Sequence, residues 1–226
     1  MNVSRTENSR SSRRAALAAL IGLAAMAAAG CNLGNLFAWA FAPRHPKETI
    51  KAEFPLKSER LVIVPYARTD ILFEDPTAPV EIACGMVNEI GRSLGPTCVK
   101  TIIHPVQVAR WQESNVEWPN MSLPDIAKAF QADTVLYVEL EHYSMIEEKS
   151  ANLYRGHIRA RVQVTQTAAE RNPVYDTTVE TSFPEERQLG LGVSMQIIRA
   201  ATVRKFAQDV VNKFHDYEKE VAGGRQ

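Results

Sequence analysis

The chain has 226 residues, 45% of them hydrophobic, and 26 basic side chains balance 26 acidic ones; it is too apolar for a disordered polymer and long enough for one globular domain with extensions. Four arginines (Arg5, Arg10, Arg13, Arg14) precede the first apolar run against one acid, Glu7, and leave 22 basic and 25 acidic residues in the rest of the chain. A mildly acidic chain without a basic stripe has no electrostatic footprint for nucleic acid, and that role is excluded.

The first fourteen residues are polar and basic, and residues 15–30, AALAALIGLAAMAAAG, carry no charge. That is the order of a secretory signal. It ends in Ala28-Ala29-Gly30-Cys31, which resembles a bacterial lipobox with Ala28 where Leu is usual. The resemblance implies cleavage between Gly30 and Cys31, a diacylglyceryl group on the Cys31 sulfur and an acylated amino end, so that lipid on Cys31 holds the protein in a membrane. A membrane-spanning helix is the competing reading. Ala15 to Ala42 is 28 residues without a charge, more than the ~20 needed to cross a bilayer. It is, however, rich in weakly apolar Ala and Gly and interrupted by Asn32, Gly34 and Asn35.

Both readings keep the arginines inside and put the domain outside the cytoplasm. Asn32, which is not Asp, implies by the lipoprotein sorting pattern that the protein is not retained at the inner membrane, which leaves it at the outer membrane facing the periplasm. Ser12-Arg13-Arg14 before Ala15-Ala16-Leu17 also resembles a twin-arginine export signal, with Ala16 where Phe is usual. The segment LFAWAF, residues 36–41, either lies in the bilayer interface or packs on the domain as a short helix.

Residues 43–58 hold three prolines and several charges and read as an extended linker. Arg60 to Tyr66, RLVIVPY, reads as a buried strand, and TDILFEDPTAP as a loop. Apolar residues from Val80 to Leu94 fall at helical spacing, stopped by Gly95-Pro96. CVKTII, residues 98–103, is a second strand. A short helix with Trp111 spans 106–117, and Ser122 caps the next one in a box-like pair with Asp125. Gln131-Ala132-Asp133 turns into the strand Thr134–Tyr143. Residues 154–167 alternate Ile158, Ala160, Val162 and Val164 with Arg159, Arg161, Gln163 and Thr165, the pattern of a strand wet on one face. Val174 to Phe183 is another strand. Leu189 to about Val221 reads as a long helix that buries Met195, Ile198, Ala201, Val203, Phe206, Val210, Val211 and Phe214.

The expected fold is therefore α/β (α+β): a mixed sheet of about five strands with helices packed on it and a long C-terminal helix. The expected organisation is a signal peptide at 1–30, a lipidated cysteine, apolar segment and Pro-rich linker at 31–58, one globular domain at 59–221 and a tail at 222–226. Cys84 falls early in the Val80–Leu94 helix and Cys98 just past its end. Ten helical residues span ~15 Å, beyond the roughly 4.4–6.8 Å between bridged Cα atoms, so two buried thiols are expected in place of a disulfide.

LVIVPYAR (61–68), FQADTVLYVELEHY (130–143) and LYRGHIRARVQVTQTAAERNPVYD (153–176) resemble segments of bacterial envelope lipoproteins with a TolB-N-terminal-like or CsgG-like domain. The matching positions are Pro65, Ala132-Asp133, Gly156 to Val164 and Tyr175, and the likeness covers roughly residues 60–215. It implies a domain that acts by protein contacts in envelope assembly, secretion or transport. The long membrane-inserting hairpins of the channel-forming members have no counterpart here.

Catalytic motifs are missing. The five histidines (His45, His104, His142, His157, His215) show no metal-ligand spacing, and neither a G-x-S-x-G elbow nor a P-loop occurs. Gly190-Leu191-Gly192 before Ser194 reads as the entry to the terminal helix. The best chemical candidate is His142 with His157 on neighbouring strands, near Asp133, Glu139 and Glu141. It supports an alternative reading as a periplasm-facing hydrolase or metal-binding protein. The leading reading is a non-catalytic lipoprotein without a cofactor, with a protein partner in the envelope.

Overall fold

The computed structural model describes residues 47–147, 153–170, 173–185 and 192–220. The expected signal peptide, the cleavage site at Gly30 and Cys31, and residues 32–46 lie outside them. The chain divides into two units, Thr49–Lys219 and a second made of Met1–Glu48 with Glu220–Gln226; nearly all described residues belong to the first. Among the described residues no helix is long and apolar enough to cross a membrane.

The elements in order are β1 (Lys47–Ile50), β2 (Ser58–Ala67), α1 (Thr69–Glu74), α2 (Ala78–Ser93), β3 (Val99–Ile102), α3 (Pro105–Ser114), a 3-10 turn (Trp118–Asn120), α4 (Leu123–Ala129), β4 (Thr134–Ile146), β5 (Tyr154–Gln166), β6 (Tyr175–Phe183), α5 (Met195–Val211) and β7 (Tyr217–Glu220). Five strands form one mixed sheet in the order β3-β2-β4-β5-β6. β2 runs parallel to both β3 and β4, while β4–β5 and β5–β6 are antiparallel. The order follows from the connections: helical crossovers join the parallel strands and short returns join the meander. β1 and β7 make a separate two-stranded sheet.

One face of the sheet packs on α2 and α5. Leu61, Ile63, Leu136, Val138 and the alternate residues Ile158 to Val164 meet Ile82, Met86, Ile90, Phe206 and Val210 there. Among the described residues the other face is covered only over β2 and the start of β4, where Val62, Val64 and Val135 meet Val108 of α3 and Ile126, Ala127 and Phe130 around α4. A strand buried on both faces needs a continuous apolar run, and LVIV in β2 is that run. Pro65 is tolerated in β2 because β3 pairs only as far as Leu61. Beyond it Gln112 Nε2 of α3 donates to the Pro65 carbonyl at 2.9 Å, so the missing N–H of proline costs no ladder bond.

At Gly156 in β5, α5 lies too close to the sheet for a side chain. A Cβ built on it would sit 2.0 Å from Thr202 Oγ1. Thr202 is fully buried and its hydroxyl donates back to the Ile198 carbonyl at 2.7 Å.

Several elements differ from the sequence expectation. The terminal helix is shorter than 189–221: Ser194 caps it, accepting from Ile197 N–H at 3.4 Å, and it ends at Val211. Residues past its end serve the segment before β2 instead. The Lys213 carbonyl accepts from the Glu53 and Phe54 N–H groups at 2.9 and 3.0 Å, and Asp216 takes the Ala52 N–H at 2.9 Å. Phe214 stays buried without the helix, whereas Met195, expected inside, is 45% exposed. The segment 43–58 is not all linker, since it contains β1 and ends with Leu56 inside the core. TDILFEDPTAP contains α1, held by the single buried side chain Ile71. β4 runs three residues further than expected, through an irregularity between Leu140 and His142. Ser122 caps α4 as expected, its hydroxyl donating to the Asp125 carboxylate at 2.6 Å. Cys84 and Cys98 are free and half-buried.

Candidate functional site

Because α3 and α4 stop over β2 and the start of β4, the remaining face of β4, β5 and β6 carries polar side chains in rows. The register pairs Glu139 with Arg161, His142 with Arg159 and Ser144 with His157 across β4–β5. Across β5–β6 it pairs His157 with Ser182, Arg159 with Glu180, Arg161 with Thr178 and Gln163 with Asp176. Arg159 Nε lies 3.0 Å from the Glu141 carboxylate. Arg161 grips Asp176 with two nitrogens at 3.0 and 2.6 Å, and that guanidinium, joined by Gln163, holds the Asp176 carboxyl below its usual range. Such half-exposed pairs contribute roughly 0–1 kcal/mol each, so they order the surface more than they stabilise the fold.

At the far end of this face the two candidate histidines come onto neighbouring strands, two residues out of register and therefore diagonal. Of the carboxylates expected beside them, Glu141 pairs with Arg159 and Glu139 lies opposite Arg161, while Asp133 is at the other end of β4. The acid that approaches a histidine is Glu147, which the sequence places in a break after the strand. It is 6% exposed and its Oε2 lies 3.2 Å from Arg155 and 3.8 Å from His157 Nε2. Arg155 also donates to the Pro184 and Glu185 carbonyls at 2.9 and 3.1 Å, tying the end of β6 to the end of β4. His157 Nδ1 is 2.9 Å from Ser182 Oγ. Glu147, Arg155 and His157 line a cavity of about 370 Å³ together with His142, Ser144 and Glu180.

Serine, histidine and glutamate in one cluster are the residue types of a nucleophilic triad, but the geometry does not assemble one. Ser182 sits inside the paired stretch of β6, opposite His157. Glu147 stands too far from the imidazole for a hydrogen bond and is bonded to Arg155. Among the described residues no three of His, Cys, Asp and Glu converge to hold a metal ion.

Asp133 is a fastening at the opposite end of the sheet. Its carboxylate accepts from Ser58 Oγ at 2.7 Å and from the N–H groups of Arg60 and Glu59 at 2.8 and 3.1 Å. Its own backbone bonds Arg60 O and Thr167 N. Burial pushes its carboxyl upward, but the Ser58 hydroxyl and the two amides outweigh that and hold it below the usual range. One side chain thus locks the starts of β2 and β4 and the end of β5 together. His104 likewise has a structural position, its Nδ1 accepting from Val106 N–H at the start of α3.

No family model matches the chain, and no curated protein matches its sequence. Solved structures do resemble it at low identity. PelC from Paraburkholderia phytofirmans, solved as a dodecamer, is 13% identical with a TM-score of 0.41, over 74% of this chain and 97% of that one. Lipoprotein GNA1162 from Neisseria meningitidis is 13% identical with a TM-score of 0.39, over 66% and 99%. Protein XCC0632 from Xanthomonas campestris is 12% identical with a TM-score of 0.43, over 71% and 82%. Similarity this distant carries no argument about what the chain does.

Proposed function

We propose that this chain is a non-catalytic lipoprotein of the bacterial envelope, held at the outer membrane by lipid on Cys31, whose periplasmic domain serves as an interaction module or accessory subunit of an envelope complex. The observation that carries the reading is the half-uncovered sheet. β4–β6 present an ordered polar face, and the one cluster on it with catalytic residue types, around His157, lacks the geometry for nucleophilic chemistry. A folded domain with a wide polar face and, among the described residues, no assembled reaction centre is suited to recognition. The order of basic segment, apolar run and Ala28-Ala29-Gly30-Cys31 supports the anchor and the compartment. The likeness of the β2, β4 and β5 segments to TolB-N-terminal-like and CsgG-like domains supports a role by protein contact.

Site-specific photocrosslinking in cells tests the docking face. Probes at Glu141 and Arg159 are expected to capture one defined envelope protein, while probes at Asn88 and Arg204 on the helical side capture none. Equal capture from both sides, or none from either, would contradict the proposal. The hydrolase alternative predicts that an activity-based fluorophosphonate labels Ser182, a result that would replace the present reading.

A further inference from the structure

Strand β6 is the free edge of the sheet and, among the described residues, pairs only with β5. A strand of nine residues with one open side is a template for another strand, and although Asp176 and Glu180 put two charges on it, the proline, lysine and bulge that commonly blunt such edges are missing from it. YDTTVETSF contains no proline and no lysine, and its register against β5 runs unbroken from Gly156–Phe183 to Val164–Tyr175. The opposite edge, β3, has only four residues and carries Lys100. Along β6 the side chains alternate: Tyr175, Val179 and Phe183 belong to or pack against the core, while Asp176, Thr178 and Glu180 are exposed on the polar face.

We propose that β6 pairs antiparallel with β6 of a second copy of this chain about a two-fold axis through Val179, joining the two sheets edge to edge. Charge and side-chain parity select this register. With the axis at Val179, Thr178 opposes Glu180 of the second copy, Asp176 opposes Ser182, Thr177 opposes Thr181 and Tyr175 opposes Phe183. No like charges meet, and aromatic rings meet at both ends. An axis at Thr178 sets Asp176 against Glu180, and an axis at Glu180 sets that residue against itself; like charges directly opposite are destabilising. Axes at Thr177 or Thr181 avoid the clash but pair only residues 175–179 or 179–183. A slip by one residue turns the core side of one copy onto the polar side of the other.

The helical layer closes over the same axis. α5 packs on both β5 and β6. With strands about 4.8 Å apart, a helix seated between those two lies roughly 10 Å from its symmetry mate, the separation of packed helices. The contact is isologous and self-limiting, and it leaves the polar face of both copies open for the docking proposed above.

The test uses the whole chain extracted in detergent and sized by sedimentation. Thr178→Glu places a carboxylate opposite Glu180 twice in each pair of chains, while Thr178→Gln has the same size without the charge. Wild type and Thr178→Gln are expected to contain two chains, with the dissociation constant of Thr178→Glu raised about tenfold or more. The double variant Thr178→Glu with Glu180→Lys sets opposite charges together again and should recover the wild-type assembly, which separates a lost contact from a lost fold. A single-chain wild type, an assembly equally strong in Thr178→Glu and Thr178→Gln, or a double variant that fails to recover would each overturn the proposal.

Discussion

Gly156→Ala perturbs the point where α5 rests on β5. The added methyl would lie 2.0 Å from Thr202 Oγ1, 2.5 Å from its Cγ2 and 2.6 Å from its Cβ. Rotating the threonine relieves the first two contacts at the expense of its 2.7 Å hydrogen bond to Ile198. It cannot relieve the third, because Cβ is fixed to the helix backbone. The helix must therefore move, and with it Phe206 and Val210, which are wholly buried on the same face. Overpacking of this kind costs about 1–3 kcal/mol, and the backbone-fixed clash puts the expected loss near the upper end. At roughly 2–4 °C per kcal/mol for a domain of this size, the melting temperature should fall by about 6–12 °C. Thr202→Ala removes two of the three clashing atoms, so the double variant should be more stable than the sum of the single changes, with a coupling of about 1 kcal/mol or more. Thermal melts of the four proteins decide this. A Gly156→Ala melt within about 2 °C of wild type, or strictly additive changes, would refute the reasoning.

Asp133→Ala removes the acceptor for Ser58 Oγ and two backbone amides and should cost about 2–3 kcal/mol in urea unfolding. Because the Asp133 carboxyl titrates lower when folded than when unfolded, its contribution is complete at neutral pH. It is lost as pH drops below about 4 through the folded value; the variant should lack that part of the acid dependence. Among the described residues the buried Tyr143 hydroxyl meets no hydrogen-bond partner, so Tyr143→Phe should leave the fold intact and stabilise it by about 1 kcal/mol, read as a higher urea midpoint. Arg199 joins α5 to the turn before α2 through Asp75 at 2.6 Å and Thr77 at 2.8 Å, and to the first turn of α2 through Glu81 at 2.7 Å. Arg199→Met should cost about 2 kcal/mol and expose that turn to faster proteolysis.

The parts of the fold that sequence reveals are those in which one periodic signal decides the outcome. LVIV in β2 and the alternation of β5 each correspond to one burial pattern, and both appear where expected except at Thr165, expected on the wet face and buried in the structure. Ser122 with Asp125 is a local cap and needs no tertiary partner to be recognised. The misses share a different cause. α1 is six residues held by one buried side chain, too short for a helical period to register. The end of α5 is set by residues 51–56, more than 150 positions away, which take the bonds a longer helix would have used; Phe214 continues the apolar period and hides the stop. At the candidate site, the histidines and their strands are legible in the sequence, but a shift of two residues in pairing is not. Glu147 gives no local signal because it follows the last residue of β4. Its burial beside Arg155 comes from the closing of β4 against the end of β6, a long-range fact. Asp133 reads in the sequence only as an acid near a strand, and its three hydrogen bonds make it a fastening.

We have proposed that lipid on Cys31 holds this domain at the membrane, and the most direct test is the intact mass of the protein extracted from membranes with detergent, measured beside a Cys31→Ala variant. The expected result is a wild-type chain that begins at Cys31 and carries acyl mass, and a variant that is neither cleaved there nor lipidated. An unprocessed wild-type chain without lipid would contradict the anchor, making residues 15–42 a membrane span and moving the search for partners into the bilayer.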